Sequence, residues 1–509
     1  MIRNLRVFVA LLMLVFGCCM QLSANLADTI NPVIRGDFAD PSVIRIGNKY
    51  YAAGTSSEWA PHFPVYVSSD LLNWKQVAHI FPEKQPWMLS SFWAPELYYH
   101  NNKVFAYYTV RDTNGISCIG VATADNPESG FTDHGVLIRT GKEAIDAFVF
   151  DDSGQLYITW KAYGLDKRPI ELLSSKLSDD GLKLIGEPVS IKIDSSRKGL
   201  EGQSMIKRND YYYLFYSAGS CCGVPCDYNL RVSRSKSVTG PFEDYSGNPV
   251  LHESGQWMCT GHGTPVLQPD GKWFFLFHGY EKEFNVYTGR QALISEISWD
   301  DTNGWPSFRQ PGSASTKAKG EWTDDFDDKK LSLQWSWDFR HSDLVANNDH
   351  GFLSLSGNVK QGNRSGTVLC VRTTVPEYEI STEVSNLNGA LKGLVLYGDD
   401  NSNAGIGVKG NDLVIWSNNN NKKEILKTIK LTSAKSIRLK MAVTYGRILK
   451  FFYSTDGKKW TQVPTGVNGI DGLDVSYTKQ WDRAPRPGLI HQGKQSEPAR
   501  FSWCKISNN

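Results

Sequence analysis

At 509 residues the chain is too long for one compact core, so two or more domains are expected. With 55 Lys and Arg against 53 Asp and Glu the formal charge is only +2, which excludes an interaction driven by attraction to nucleic acid or an acidic surface. Its 16 Trp, 22 Tyr and 23 Phe suit sheet packing and sugar-stacking platforms equally, so composition alone does not separate these uses.

Met1-Ile-Arg-Asn-Leu-Arg6 followed by the apolar run Val7 to Gly17 reads as a signal peptide, too short to span a membrane, with cleavage expected after Leu22-Ser-Ala24 (residues 1–24). The expected product is exported, periplasmic or extracellular. Lipidation at Cys18 or Cys19 is the alternative, which Phe16 fits poorly. From residue 31 to about 310 there is almost no helical periodicity, only short apolar, β-branched and aromatic runs punctuated by Gly, Asn and Asp.

These runs align in five rows. The rows start at Asp40-Pro-Ser-Val-Ile-Arg-Ile46, Trp93-Ala-Pro-Glu-Leu-Tyr-Tyr99, Ile145-Asp-Ala-Phe-Val-Phe150, Glu201-Gly-Gln-Ser-Met-Ile206 and Gly261-His-Gly-Thr-Pro-Val-Leu267. Each continues through a tight turn into a second and a third strand. A multi-strand repeat of about fifty residues is the mark of a propeller blade, and five rows predict a five-bladed β-propeller over 31–310. A polar linker, 311–322, precedes a second all-β unit, 323–509. Its strand candidates, among them Thr367–Val371, Ile437–Met441 and Leu449–Tyr453, predict a β-sandwich. Cys221-Cys-Gly-Val-Pro-Cys226 with Cys259 suits a loop-stapling disulfide better than zinc, for which no second ligand pair is evident. Cys370 and Cys504 are a candidate pair.

The inner strands of a propeller begin on one rim. Asp40, the Trp93 to Glu96 segment, Asp146, Glu201 and His262 are therefore expected to converge. The interval to the hairpin turn is eight residues for Asp40 to Asn48, Asp146 to Gly154, Glu201 to Asn209 and His262 to Asp270. Strand-start acids also serve as turn caps, but three in register are better explained by a site. Mutual repulsion in one funnel raises at least one carboxyl pKa, and a protonated acid opposite an ionised base is what inverting glycoside hydrolysis requires. Phe38, Trp93 and Trp160 are candidate sugar-stacking faces, Glu96 a further substrate contact, and Arg290 a cation entering the same rim. His262 is either a structural histidine or an axial ion ligand.

Residues 31 to about 310 resemble glycoside hydrolase family 43. The likeness rests on Phe38-Ala-Asp-Pro-Ser42, Trp93-Ala-Pro-Glu96, Ile145-Asp146 with Phe148, Leu200-Glu-Gly202, Gly261-His-Gly263, and Gly289-Arg290 leading to Gly304-Trp-Pro306. The resemblance implies Asp40 as general base, Glu201 as general acid, and Asp146 as the group tuning and orienting that acid. It also implies that Arg290 helps hold the site and that His262 lies near a structural calcium in some members, with no cofactor required. Ala147 and Gln203 stand where family members often have proline. The C-terminal unit resembles the concanavalin-like sandwich appended to β-xylosidases and α-L-arabinofuranosidases, through Asp324-Asp-Phe326, Leu331-Ser-Leu-Gln-Trp335 and Tyr453-Ser-Thr-Asp-Gly457.

The expected function is release of β-D-xylosyl or α-L-arabinofuranosyl units from plant polysaccharide chains, with an oligosaccharide or polysaccharide as substrate, no nucleic-acid partner and no membrane span expected, and the oligomeric state left open. Endo attack on α-1,5-arabinan is the alternative. A non-catalytic carbohydrate-binding propeller is the rival of another class, which has no need for three mutually repelling acids.

Overall fold

In the computed structural model, which describes residues 32–164, 169–196, 198–310, 320–360, 362–432, 435–466 and 471–508, the described chain is almost entirely strand. The signal-peptide expectation at 1–24 and most of the linker lie outside the described residues. No helix among the described residues is long and apolar enough to cross a membrane.

The five rows are five blades. Their inner strands are Ser42–Ile46, Met88–His100, Glu143–Asp152, Glu201–Arg208 and Trp257–Leu267, each hairpinned to a second strand. The turns take left-handed backbone at Gly47, Asn102, Gly154, Asn209 and Gly271, residue types that tolerate positive φ. The inner strands neighbour one another in a closed ring, the fifth against the first. Ile34, ahead of the first blade, bridges Ala292 of the fifth and joins the two ends of the ring. Every blade also carries a fourth, outer strand that the sequence rows do not show: Lys75–Phe81, Thr132–Ile138, Leu184–Asp194, Glu243–Asp244 and Pro306–Phe308. Several of these are half exposed, so their hydrophobic signal is diluted.

The unbroken apolar runs follow from burial on both sheet faces. Adjacent residues of one strand enter different cores. Tyr50 packs between blades five and one, Tyr51 between one and two. Val149 packs between blades two and three, Phe148 between three and four. Met205 and Ile206 divide in the same way between the cores on either side of blade four. Five inter-blade cores thus close around the axis.

The C-terminal unit is two packed antiparallel sheets around a core including Trp335, Leu355, Ile380, Leu394, Met441 and Phe501. One sheet continues into the propeller, because Trp337–Asp338 pairs with Ala60–Trp59 from blade one. Polar contacts reinforce the junction: Arg372 donates to the Asp37 carbonyl and to the Tyr66 hydroxyl. The expected Cys370–Cys504 pair does not form. Cys504 lies in the inter-sheet core, whereas Cys370 belongs to the cluster around Trp59 and Trp416 on the other face of its sheet, and both are free thiols. The predicted loop staple is Cys226–Cys259, and Cys221 pairs with its neighbour Cys222.

Gly263, on the fifth inner strand, has no room for a side chain, since a Cβ there would stand 2.2 Å from the Leu276 carbonyl oxygen. Gly263→Ala should cost about 1–3 kcal/mol by overpacking, read as a lower denaturation midpoint at unchanged m-value; an unaltered midpoint would show that the strands can separate there freely.

Candidate active site

Each inner strand passes through left-handed backbone within it or just ahead of it, at Asp40 (φ 52°), Ala94 (41°), Asp146 (58°), Gly202 (59°) and His262 (41°), with Ser91 and Cys259 as further such residues in the second and fifth. In blades two to five the strand register slips across these positions, the signature of a bulge that re-aims side chains. A polar side chain following or within the second strand of the preceding blade catches four of the freed amides. Ala94 N donates to Thr55 Oγ1 (2.8 Å), Asp146 N to Thr109 Oγ1 (3.1 Å), His262 N to Ser217 Oγ (2.8 Å) and Asp40 N to His278 Nδ1 (3.0 Å). The fifth amide, Gly202 N, donates to the Asp146 carboxylate itself (3.0 Å). Gly202 is also sterically required: a Cβ would lie 2.7 Å from His262 Cγ.

These bends place Asp40, Asp146, Glu201, His262 and Arg290 around one pocket of about 330 Å³. Arg290 Nη1 donates to Asp40 Oδ1 (3.0 Å) and Thr55 Oγ1 to Asp40 Oδ2 (2.6 Å). Burial alone would raise the Asp40 pKa, but Arg290 and His262 outweigh it and hold the carboxyl well below its usual range. His278, whose Nδ1 accepts the Asp40 amide, is pushed down to about 4 by burial and is neutral. Asp40 is therefore an ionised carboxylate at neutral pH.

The other two acids behave as a pair. Burial first, and then the nearby Glu201 charge, raise Asp146 to about 7. Glu201 is also buried, yet Lys161 Nζ at 2.7 Å and the Tyr228 hydroxyl at 3.0 Å hold it below the ordinary carboxylate value. The two therefore titrate as a coupled pair, in which Asp146 holds a proton more readily than Glu201. Lys161 has a second partner in Glu143, at 3.1 Å. Gln203, where family members often have proline, donates its amide to the Asp146 carbonyl.

The sandwich completes the pocket. Trp481 and Asp482 line it. The Asp482 carboxylate accepts from the Trp93 indole (3.2 Å), and its carbonyl accepts from Arg290 Nη2 (3.0 Å). Trp93 and Trp481 meet edge to face at 5.8 Å. Of the three expected stacking rings only Trp93 lines the pocket. Phe38 is fully buried between blades five and one against Tyr66. Trp160 is fully buried between blades two and three, and strand alternation sends its neighbour Lys161 towards Glu201 instead. Glu96 accepts from Ser42 Oγ (2.7 Å) in a separate cavity beside the inner strands, raised to about 8 by burial, and does not reach this pocket.

His262 Nδ1 faces Asp40 Oδ1 at 3.4 Å and Asp146 Oδ2 at 3.8 Å. Calcium takes about six to eight oxygen ligands. Among the described residues no group of three or more His, Cys, Asp or Glu is arranged to hold a metal. His262 itself offers a ring nitrogen, not an oxygen, and sits between two carboxylates. Lys161, Tyr228, Thr55, His278, Arg111 and the Trp481–Asp482 pair were not singled out from sequence. Lys161 and His278 had a signal, as polar residues interrupting second-strand apolar runs, whereas the sandwich residues had none.

Residues 29–306 match the family described as glycosyl hydrolases family 43, and residues 323–506 match the β-xylosidase C-terminal concanavalin A-like domain. The chain is 32% identical over 289 residues to an extracellular endo-α-(1→5)-L-arabinanase of Bacillus subtilis, covering 53% of this chain and 87% of that protein. It is 26% identical over 410 residues to a non-reducing end α-L-arabinofuranosidase of Bacteroides ovatus, covering 75% and 74%. Its fold is similar to that of a xylan β-1,4-xylosidase from Bacillus halodurans, with TM-score 0.79 over 94% of this chain and 99% of that one, at 22% identity.

The raised Asp146 has a measurable consequence. The folded chain keeps this proton up to about 7, whereas an unfolded Asp releases it near 3.8, so its contribution drains stability as pH rises between those values. Asp146→Asn, uncharged throughout, should gain on the parent in denaturation midpoint across that window; a constant offset would count against a protonated Asp146.

Proposed function

The chain belongs to glycosyl hydrolases family 43, and on that premise we propose that this O-glycosyl hydrolase is an exo-acting, inverting pentosidase. It takes β-D-xylosyl or α-L-arabinofuranosyl units from the ends of xylan-, arabinoxylan- or arabinan-derived chains. The observation that carries exo action is the placement of Trp481 and Asp482: the sandwich forms one side of the pocket and bonds to both Trp93 and Arg290. A long chain crossing the propeller face needs that side open.

In this reading Asp40, kept ionised by Arg290, takes a proton from the water attacking the anomeric carbon. Glu201 protonates the leaving oxygen. Its side chain is 15% exposed against 9% for Asp40 and 6% for Asp146, so it is the acid most open to a substrate. The pair's proton reaches Glu201 when a sugar oxygen moves Lys161 onto Glu143, removing the charge that had held Glu201 ionised. Asp146, fastened by Gly202 N, is the proton's other holder.

Endo attack on α-1,5-arabinan is a second reading, supported by the 32% identity of the propeller to an endo-arabinanase. We also propose export, supported by that relative's extracellular name and by the basic start and apolar run of residues 1–24.

Aryl β-xyloside, aryl α-L-arabinofuranoside and linear arabinan separate these readings, with the released anomer followed by proton NMR. Single inverted pentoses are expected. Oligomers from arabinan alone would sink the exo reading, and no turnover at all would leave the binding module. Glu201→Gln should lose roughly 100-fold or more on unactivated glycosides but far less on activated aryl ones; equal losses would remove Glu201 as the acid. Lys161→Met should extend the alkaline limb of kcat/KM upward, because Glu201 then keeps its proton to higher pH, and an unmoved limb would free Lys161 of that role.

A further inference from the structure

The connector between the second and third strands of blade four, residues 219–228, carries a feature that the glycosidase chemistry does not use. Cys221 and Cys222 are joined to each other, and both line the pocket. A bond between adjacent residues closes almost no loop, so it restricts the unfolded chain little, since disulfide stabilisation grows with the length of chain enclosed. Cys226–Cys259, with a sequence separation of 33, does the stapling and ties the connector to the fifth inner strand. Cys226 and Cys259 are only 8% and 2% exposed, whereas Cys221 and Cys222 are partly open to the pocket.

The rest of the connector keeps that ring in place. Ser220 N donates to Asp227 Oδ1 (2.7 Å), and Tyr228 at its end donates to Glu201. Gly223 lies against the sandwich, where a Cβ would be 3.9 Å from Trp481 Cα. Trp481, itself 57% exposed, thus stands next to the residue that follows the disulfide ring, 5.8 Å from Trp93, and lines the same pocket as the ring. Most of the remaining lining is ionisable: the five acids Asp40, Glu143, Asp146, Glu201 and Asp482, with Lys161, Arg111 and Arg290. A pentose needs such groups for its hydroxyls, and it also has a face of C–H bonds that gains from an apolar, polarisable surface.

We propose that the Cys221–Cys222 ring is a substrate-contacting wall, whose sulfur and methylene surface carries the C–H face of a sugar ring beside Trp481. The proposal rests on the pentosidase reading and names a binding surface for it.

Cys221→Ala/Cys222→Ala should raise KM for xylo- or arabino-oligosaccharides roughly three- to tenfold, with kcat within about twofold and both pH limbs unmoved, the pattern of lost uniform binding. Unchanged KM overturns the wall. So does a fall in kcat with a displaced pH limb, which would mean that the ring only positions Tyr228. A second measurement does not depend on how that variant folds. In the Glu201→Gln protein a water-soluble phosphine reduces the disulfide to two thiols, taking oxygen from water to become its oxide, and iodoacetamide then marks the thiols. Bound xylobiose or arabinobiose should slow marking of Cys221 and Cys222 severalfold, and marking that ignores both sugars overturns the proposal. If the wild type turns over no pentoside, the glycosidase reading falls by itself, and this protection by sugar still decides for or against the wall.

Discussion

The site depends on a backbone bend repeated in every blade and pinned from the blade before it. Left-handed backbone at a residue other than glycine costs about 1–3 kcal/mol, and the bulged strand frees an amide that would otherwise be buried unpaired. Thr55, Thr109, Ser217 and His278 each satisfy one such amide, a bond worth about 1 kcal/mol net. That alone does not offset the strain. The remainder must come from the inter-blade cores on both faces of each strand, so the ring has to close before any one bend is stable. The carboxylates therefore reach the axis only as a consequence of the whole propeller.

Closure brings three acids together, and their charge states are divided by what stands beside each. Asp40 has Arg290 and stays ionised; Glu201 has Lys161 and Tyr228 in direct contact; Asp146 accepts from a backbone amide and feels His262 and Lys161 only at longer range, so burial and the Glu201 charge win and its pKa rises. The cations come from outside the inner ring: Lys161 from a second strand, Arg290 from just before the third strand of blade five. The sandwich secures the same network, since Arg290 donates to Asp482 and the Ala484 amide donates to Asp37, whose other oxygen accepts from Arg290 N. The second domain is thus bonded into the support of Asp40 and is not simply appended.

How far the sequence could be read varied with the physics behind each signal. The inner strands, their turns and the in-register acids were visible because period and turn chemistry are local. The outer strands were not, because short and half-exposed edges leave little pattern. Phe38 and Trp160 were misplaced for a related reason. Their nearness in sequence to Asp40 and to the rim says nothing about which face of a doubly buried strand they occupy. Cys370 and Cys504 lie in facing sheets, but on opposite sides of the core boundary.

From the sequence alone came the all-β propeller with its appended sandwich, and the three carboxylates at matching strand starts. Repetition in a propeller converts sequence register into spatial convergence. Only the tertiary structure decided which acid holds a proton more readily, that Lys161 and Tyr228 bear on Glu201, and that Trp481, Asp482 and the Cys221–Cys222 ring stand at the pocket. Those outcomes depend on charge and contact between segments up to hundreds of residues apart; a linear pattern can mark Lys161 or the paired cysteines as unusual, but it does not say what they meet.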